Sequence, residues 1–209
     1  MDHKTLITRE RLTAPHYLAN NFVMQNVRKP NPGDKSLDFG SRRSELPMIL
    51  SDLGYDAVAL DRDPGLIAMQ DLVAKRYNVP RKWKCVCGSY PLLQEFSHCE
   101  FKLVTAIWAI QHNSFQEQWH LLASLLDVTA TGGEVIVVSS YCHTGSKDDQ
   151  ARVDPQLIVG PTELELLTKR PYCEMTKQEF FWYSHGTIDG EYCEPERANA
   201  TAYILRKLS

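Results

Sequence analysis

Several features that would mark other classes of protein are missing from this sequence of 209 residues. No apolar run reaches the length of about 20 residues that crosses a membrane, and the first residues lack the apolar segment of a secretory signal. The net charge is −3 and the pI is about 6.2, so the basic surplus that neutralises phosphate groups is absent. The sequence therefore predicts a cytoplasmic protein that binds neither nucleic acid nor a membrane.

The six cysteines lack the spacing of a metal site. No C-x-x-C pair occurs, and no histidine stands at the spacing of a zinc finger. We therefore expect reduced thiols, with no bound metal and no disulfide framework.

Residues 36–64 have the pattern of a strand, a tight turn, a helix and a second strand. A short apolar run ends at Gly40, and an apolar helical face follows the turn until Gly54 stops it. Tyr55 to Leu60 has the composition of a buried strand, with Asp61 at its carboxyl end. This order is half of a nucleotide-binding βαβ unit.

Asp61 gives this unit its chemistry. It follows Gly40 by 21 positions, close to the roughly 20 of the dinucleotide-binding fingerprint, and a carboxylate there accepts hydrogen bonds from both ribose hydroxyls. Glycine, however, is scarce in the turn, since residues 40–44 keep one glycine where G-x-G-x-x-G has three. An ordinary strand, turn and helix without a ligand is the alternative interpretation.

Helices and strands alternate through the rest of the chain. Phe101 to Trp108 is an apolar run without alternation, which is typical of a central parallel strand. The last two strand-like runs are separated by a glycine-containing loop and predict an antiparallel pair. The predicted helices cover 6–27, a segment starting at Pro64, and 116–128; the predicted later strands cover 84–87, 134–140, 179–184 and 201–205. This pattern predicts a three-layer α/β sandwich with its ligand at the carboxyl ends of the strands.

The connection Tyr141 to Gly160 is long and polar, which in a compact domain usually indicates a functional loop. We predict one domain overall, with residues 1–34 as an N-terminal helical cap or lid and residues 35–209 as the main domain. The cap and the loop are predicted to build the pocket for a second ligand.

Four short motifs, in this order, resemble those of the class I S-adenosylmethionine-dependent methyltransferases of the small Rossmann-like kind. They are Leu37 to Gly40, Tyr55 to Asp61, Phe101 to His112 and Thr131 to Val137. The resemblance covers about residues 35–207. It implies a Rossmann-like methyltransferase domain at 35–209, with a mostly parallel sheet of about seven strands and an antiparallel C-terminal strand.

The resemblance also implies which residues bind S-adenosylmethionine and its product S-adenosylhomocysteine. Asp38, Gly40 and Ser41 would approach the methionine end, Asp61 the ribose, Arg62 the adenine edge, Gly88 and Ser89 the adenine amino group, and Ile107 and Trp108 the amino acid moiety. Three positions depart from the family pattern. Ser89 stands where an acidic residue is common, and Arg42 and Arg43 replace glycines.

The implied activity is methyl transfer to an oxygen or nitrogen of a small molecule, with a sugar or secondary metabolite as the predicted acceptor. His112, just past the central strand, is predicted to act as general base or to orient the acceptor. Alternatively, His112 caps the following helix. His143, in the long loop, is the second catalytic candidate.

Rival functions belong to other classes. A catalytically silent S-adenosylmethionine-binding partner or scaffold protein stays open, as does association with a protein partner or a second copy. A nicotinamide-dependent oxidoreductase would also use Asp61, but the glycine-poor turn counts against it. A nucleic-acid methyltransferase commonly has an Asn/Asp-Pro-Pro-aromatic run where this chain has Trp108 to Gln111.

Overall fold

A computed structural model describes residues 14–113, 115–140, 172–183, 190–194 and 197–209. The described helices are α1 (Ala14–Asn26), α2 (Leu46–Leu53), α3 (Leu66–Tyr77) and α4 (Phe115–Val128). The described strands are β1 (Lys35–Phe39), β2 (Asp56–Asp61), β3 (Lys84–Cys87), β4 (Phe101–Ile107), β5 (Thr129–Ser140), β6 (Cys173–Tyr183), β7 (Gly190–Tyr192) and β8 (Ala200–Lys207).

These strands form one sheet in the order β3-β2-β1-β4-β5-β8-β6-β7. Strands β1 to β5 pair in parallel, whereas β8 runs antiparallel to both β5 and β6, and β7 antiparallel to β6. The predicted mostly parallel α/β sandwich with an antiparallel C-terminal strand is confirmed. The described sheet has eight strands rather than about seven because the three-residue β7 pairs with the end of β6.

Strand order reverses between β1 and β4, which are neighbours at the centre of the sheet. Chain connections leave this point in opposite directions, so a crevice opens above the carboxyl ends of the two strands. The segments that follow β1, β2, β3 and β4 therefore meet at one edge of the sheet. This edge is called the carboxyl edge below.

Each face of the sheet carries its own hydrophobic core. On one face, side chains from α1, α2 and α3 pack with alternate strand residues such as Leu103 and Ile136. On the other face, α4 packs with Leu37, Val104 and Val137. Alternate residues of β4 and β5 thus serve opposite layers, as the period of two in a strand requires. None of the described helices combines the length and apolar composition needed to cross a membrane.

The N-terminal helix is packed into the first core rather than standing apart from it. Leu18, Phe22 and Val23 of α1 are buried there. Lys177 of β6 adds a hydrogen bond of 3.1 Å from Nζ to Asn26 Oδ1, and its ammonium lies 5.3 Å from the centre of the Phe22 ring. The division into a cap at 1–34 and a main domain at 35–209 stays a prediction, because residues 1–13 and the loop 141–160 lie outside the described residues.

Candidate functional site

The turn between β1 and α2 lies at the centre of the carboxyl edge. The backbone N–H groups of Gly40 and Ser41 donate to Leu60 O at 2.9 and 3.0 Å, which ties the turn to β2. Gly40 has φ +75°, and a Cβ on it would overlap the Cβ of Ala109, just past β4. Glycine is therefore required at position 40 for both its conformation and its lack of a side chain.

Asp61 lies at the end of β2 beside this turn. Its Oδ2 accepts the backbone N–H of Arg42 at 3.1 Å, and its Oδ1 accepts that of Asp63 at 2.9 Å. Each carboxylate oxygen can accept more than one hydrogen bond. The carboxylate is half-buried, so it is held rigidly by the chain and still has acceptor capacity for a ligand.

Asp38 lies beneath the turn, on β1, and is almost completely buried. Thr105, its register partner on β4, donates its hydroxyl to Asp38 Oδ1 at 2.7 Å. Burial raises the pKa of Asp38 to about 6, although the nearby hydroxyls of Thr105, Ser44 and Ser41 lower it in part. Among the described residues, Oδ2 of Asp38 has no hydrogen-bond partner.

The segment after β3 brings a third carboxylate to the edge. Gly88 donates its N–H to Asp61 O at 2.9 Å, so the end of β3 adjoins the end of β2. The position that a Cβ would take on Gly88 lies 2.7 Å from the carboxyl carbon of Glu95. Glu95 therefore lies against Gly88, and it is exposed, as are Ser89 and Arg62.

The end of β4 supplies the other side of the crevice. Ile107 ends the strand, and Trp108 follows with φ +55° and an N–H that donates to Val138 O at 2.8 Å. The Trp108 ring packs edge-on against Phe181, with ring centres 6.4 Å apart. His112 ends the short 3-10 helix Ile110–His112, so its backbone lies just past the crevice.

The structure brings most of the predicted cofactor residues to this single edge. The turn contains Gly40 and Ser41, and beside it lie Asp38 and Asp61. Gly88 adjoins the turn through Asp61, and across the crevice lie Ile107 and Trp108. The roles assigned to these residues and to Arg62, Ser89 and His112 stay predictions. His143 lies outside the described residues. Within the described part of the chain, no three His, Cys, Asp or Glu side chains are grouped as a metal ion would require.

Two residues of this edge were not predicted from the sequence. Gln70 of α3 is fully buried, and its side-chain amide contacts the turn. The signal for it was a polar residue on the apolar face that Leu66 and Val73 define. Glu95 lies six positions after Ser89 in an irregular segment, and no local pattern indicates that it turns back onto Gly88.

No protein-family model matches this sequence, and neither does any curated protein. Solved structures do match in fold. A SAM-dependent methyltransferase from Methanosarcina mazei is 13% identical, with a TM-score of 0.68 over 90% of this chain and 97% of its own. A proposed sarcosine dimethylglycine methyltransferase from Galdieria sulphuraria is 12% identical, with a TM-score of 0.67 over 93% of this chain and 85% of its own.

A third match comes from a Haloferax volcanii complex between the Trm112 methyltransferase activator and a proposed methyltransferase. It is 13% identical, with a TM-score of 0.65 over 93% of this chain and 91% of its own. These similarities extend over almost the whole chain. The chain therefore has the fold of the class I S-adenosylmethionine-dependent methyltransferases.

Proposed function

We propose that this protein binds S-adenosylmethionine at the carboxyl edge and transfers its methyl group to an oxygen or nitrogen of a small molecule. The observation that carries the proposal is Asp61, a rigidly held carboxylate at the end of β2, beside the β1 turn, which itself lies at the reversal of strand order. In open α/β sheets this is where nucleotide ligands bind.

The residues present fit the chemistry of this cofactor. Asp61 retains acceptor capacity for two ribose hydroxyls. The buried Oδ2 of Asp38, which has no hydrogen-bond partner among the described residues, is an acceptor beneath the turn, where the cationic methionine end is predicted. Two carboxylates at this edge also suit a ligand that carries a sulfonium and an ammonium.

Glu95 extends the proposed site towards β3. A nucleoside whose ribose lies at Asp61 would direct its base towards the neighbouring end of β3, where Glu95 lies against Gly88. The Glu95 carboxylate would accept a hydrogen bond from the amino group of the base. Glu95 would thus take the place of the acidic residue that is common in the family at the position of Ser89.

When bound, S-adenosylmethionine supplies a methyl group that its sulfonium already activates. The chain then has to align the acceptor and exclude water, which requires little covalent chemistry from the protein. His112, just past β4, would remove a proton from an acceptor hydroxyl or orient the acceptor. The proposed acceptor is a sugar or a secondary metabolite, and the proposed location is the cytoplasm.

A silent S-adenosylmethionine-binding partner protein is the second candidate. One observation favours it: Arg42 adopts φ +27° in a turn with a single glycine, so the backbone is less free to approach the ligand than in a glycine-rich turn. The Haloferax volcanii protein was solved with an activator, and a protein partner or a second copy of this chain is likewise proposed here.

Mass spectrometry of the purified protein for bound S-adenosylmethionine or S-adenosylhomocysteine tests the first step. Calorimetry should then show that Asp61→Ala weakens S-adenosylhomocysteine binding by about ten- to a hundredfold, because charge-assisted hydrogen bonds contribute about 1.5–3 kcal/mol. Asp127→Ala removes an exposed carboxylate near the end of α4 and should leave the affinity unchanged.

Equal affinities for the wild type and Asp61→Ala would remove Asp61 from the site. If the protein binds the cofactor but forms no S-adenosylhomocysteine with a panel of hydroxyl and amine acceptors, the silent partner becomes the better proposal.

A further inference from the structure

The turn of residues 40–44 holds a conformation that its sequence alone does not favour. Arg42 has φ +27°, on the left-handed side of conformational space that side chains other than glycine rarely adopt. Arg42 and Arg43 are also exposed, so their side chains are not packed into a core that could fix the backbone. Contacts from elsewhere must therefore hold the turn in place.

Besides the bonds to Leu60 and Asp61 described above, Gln70 of α3 supplies such contacts. Its Nε2 lies 3.0 Å from Arg42 O, 3.2 Å from Ser44 O and 3.3 Å from Ser41 Oγ. The amide nitrogen has two protons. They serve the two backbone carbonyls, and the Ser41 hydroxyl shares one of them at the longest distance. One buried side chain thus binds the beginning and the end of the same turn.

Trp83 fixes the orientation of this amide. Its indole Nε1 can only donate, and it lies 2.7 Å from Gln70 Oε1. The amide oxygen must therefore face Trp83, which directs the amide nitrogen towards the turn. Gln70 and Trp83 are both buried, so water does not compete for these hydrogen bonds.

The position of the Asp61 carboxylate depends on this turn. Arg42 donates its N–H to Asp61 Oδ2 while its carbonyl accepts from Gln70. A change in the position of the Arg42 peptide groups would alter both bonds. The geometry of the carboxylate that we propose binds the ribose thus depends on Gln70, although Gln70 itself lies below the turn.

We infer that Gln70, oriented by Trp83, is a positioning residue that holds this glycine-poor turn in its ligand-binding shape. In a glycine-rich turn, glycines adopt the required conformation without strain. In this turn, the hydrogen bonds from α3 stabilise that conformation instead. The ligand part of this inference rests on the proposed function, whereas the holding of the turn does not.

Three variants test the inference. Gln70→Glu keeps the size of the side chain and an acceptor for Trp83, but it replaces the donor with an oxygen that faces two carbonyl oxygens. Gln70→Met keeps the size and removes both polar atoms. Val73→Ala shortens a buried side chain of the same helix that contacts the core, and it serves as the control for lost stability.

Two measurements are made on each variant, well below its thermal midpoint. The first is the affinity for S-adenosylhomocysteine. We expect both Gln70 variants to bind S-adenosylhomocysteine about tenfold or more weakly than the wild type, equivalent to about 1.4 kcal/mol. Val73→Ala should bind as the wild type does, even where its thermal midpoint falls as far as those of the Gln70 variants. The second is amide hydrogen exchange of the ligand-free protein. The amides of Arg42 and Ser44 should exchange faster than in the wild type in both Gln70 variants, but not in Val73→Ala.

The outcomes separate this inference from the proposed function. Wild-type affinity and unchanged exchange at Arg42 and Ser44 in Gln70→Met would overturn the inference. An equal loss of affinity in Val73→Ala would also overturn it, since the effect would then be one of general stability. If the wild type binds no S-adenosylhomocysteine, the proposed function fails, and the exchange measurement alone still decides whether Gln70 holds the turn.

Discussion

At the scale of single residues, the side chains of the proposed site are held in place by hydrogen bonds within the chain itself. Asp61 accepts two backbone N–H groups, and Gln70 binds both ends of the turn. Such groups need little reorganisation on binding, so more of the interaction energy is available for affinity. A residue with the same chemistry on an unsupported loop would bind more weakly.

His112 is the residue whose role is best decided by kinetics. If it removes a proton from the acceptor, kcat of the wild type should rise with pH in the range where histidine titrates, about 6.5 in model peptides. His112→Ala should then lower kcat by roughly 10²–10⁴ and leave cofactor affinity unchanged. Steady-state rates from acid to alkaline pH, with calorimetry of the same samples, provide the measurement.

The matched control is His98→Ala, which removes an exposed histidine and should not change kcat. His112→Asn keeps one hydrogen bond but cannot accept a proton near neutral pH. A His112→Asn enzyme with the wild-type kcat and pH profile would exclude the base and leave alignment as the role of this residue.

Residues close together in sequence were predictable, whereas those brought together by the fold were not. The positions of Gly40 and Asp61 follow from one local pattern. Gln70 comes to the turn only because α3 packs against it, and Trp83, which directly precedes β3, contacts Gln70. Both contacts depend on the tertiary structure. Glu95 follows the 3-10 helix Leu92–Gln94, which is too short for periodicity to signal the contact with Gly88.

At the scale of elements, the β1 turn and the segment after β4 are in direct contact at Gly40. We expect Gly40→Ala to lose about 2–5 kcal/mol of unfolding free energy, because its φ is unfavourable for alanine and the new Cβ overlaps Ala109. Cofactor affinity should fall with it. Urea unfolding and calorimetry provide the two measurements.

Two further variants divide this loss into its causes. Gly132 has φ +70° with nothing within 4 Å of a new Cβ, so Gly132→Ala should cost about 1–2 kcal/mol from backbone strain alone. Ala109→Gly in the Gly40→Ala background removes the overlapping methyl group and should restore most of the affinity. No recovery in the double variant would mean that the contact between the two segments does not shape the site.

Element types were more predictable than element ends. The third strand matches its predicted bounds, whereas β5 begins at Thr129 instead of residue 134. The glycines before residue 134 predict a turn, but their segment continues the strand through a register shift opposite Phe101 and Leu103. Helix α3 begins at Leu66 rather than Pro64, and in the preceding turn the Asp63 side chain accepts the N–H of Gly65.

At the scale of the whole molecule, the buried carboxyl of Asp38 links stability to pH. Its pKa is raised from 3.8 to about 6, so the folded protein holds this proton more tightly than the unfolded chain. The stabilising effect is fully present below about pH 4 and is lost as the pH rises through about 6. A pKa difference of about 2 corresponds to about 3 kcal/mol.

Asp38→Asn should remove this dependence. The free energy of unfolding of Asp38→Asn minus that of the wild type should increase by about 3 kcal/mol between about pH 4 and pH 7. Urea unfolding of both proteins at a series of pH values measures the difference, in which the other titrating groups cancel. Parallel stability curves across this interval would show that Asp38 is charged at the same pH in the folded and unfolded states.

Strand β8 lies between β5 and β6, yet it is the last described strand in chain order. A ribosome that synthesises the chain from its N-terminus therefore releases β5 and β6 while the strand that joins them is still missing. Until β8 emerges, both present unpaired edges, and such edges associate readily with other chains. The nascent protein thus has a period in which these two edges are open to association, and this period ends only when β8 is inserted.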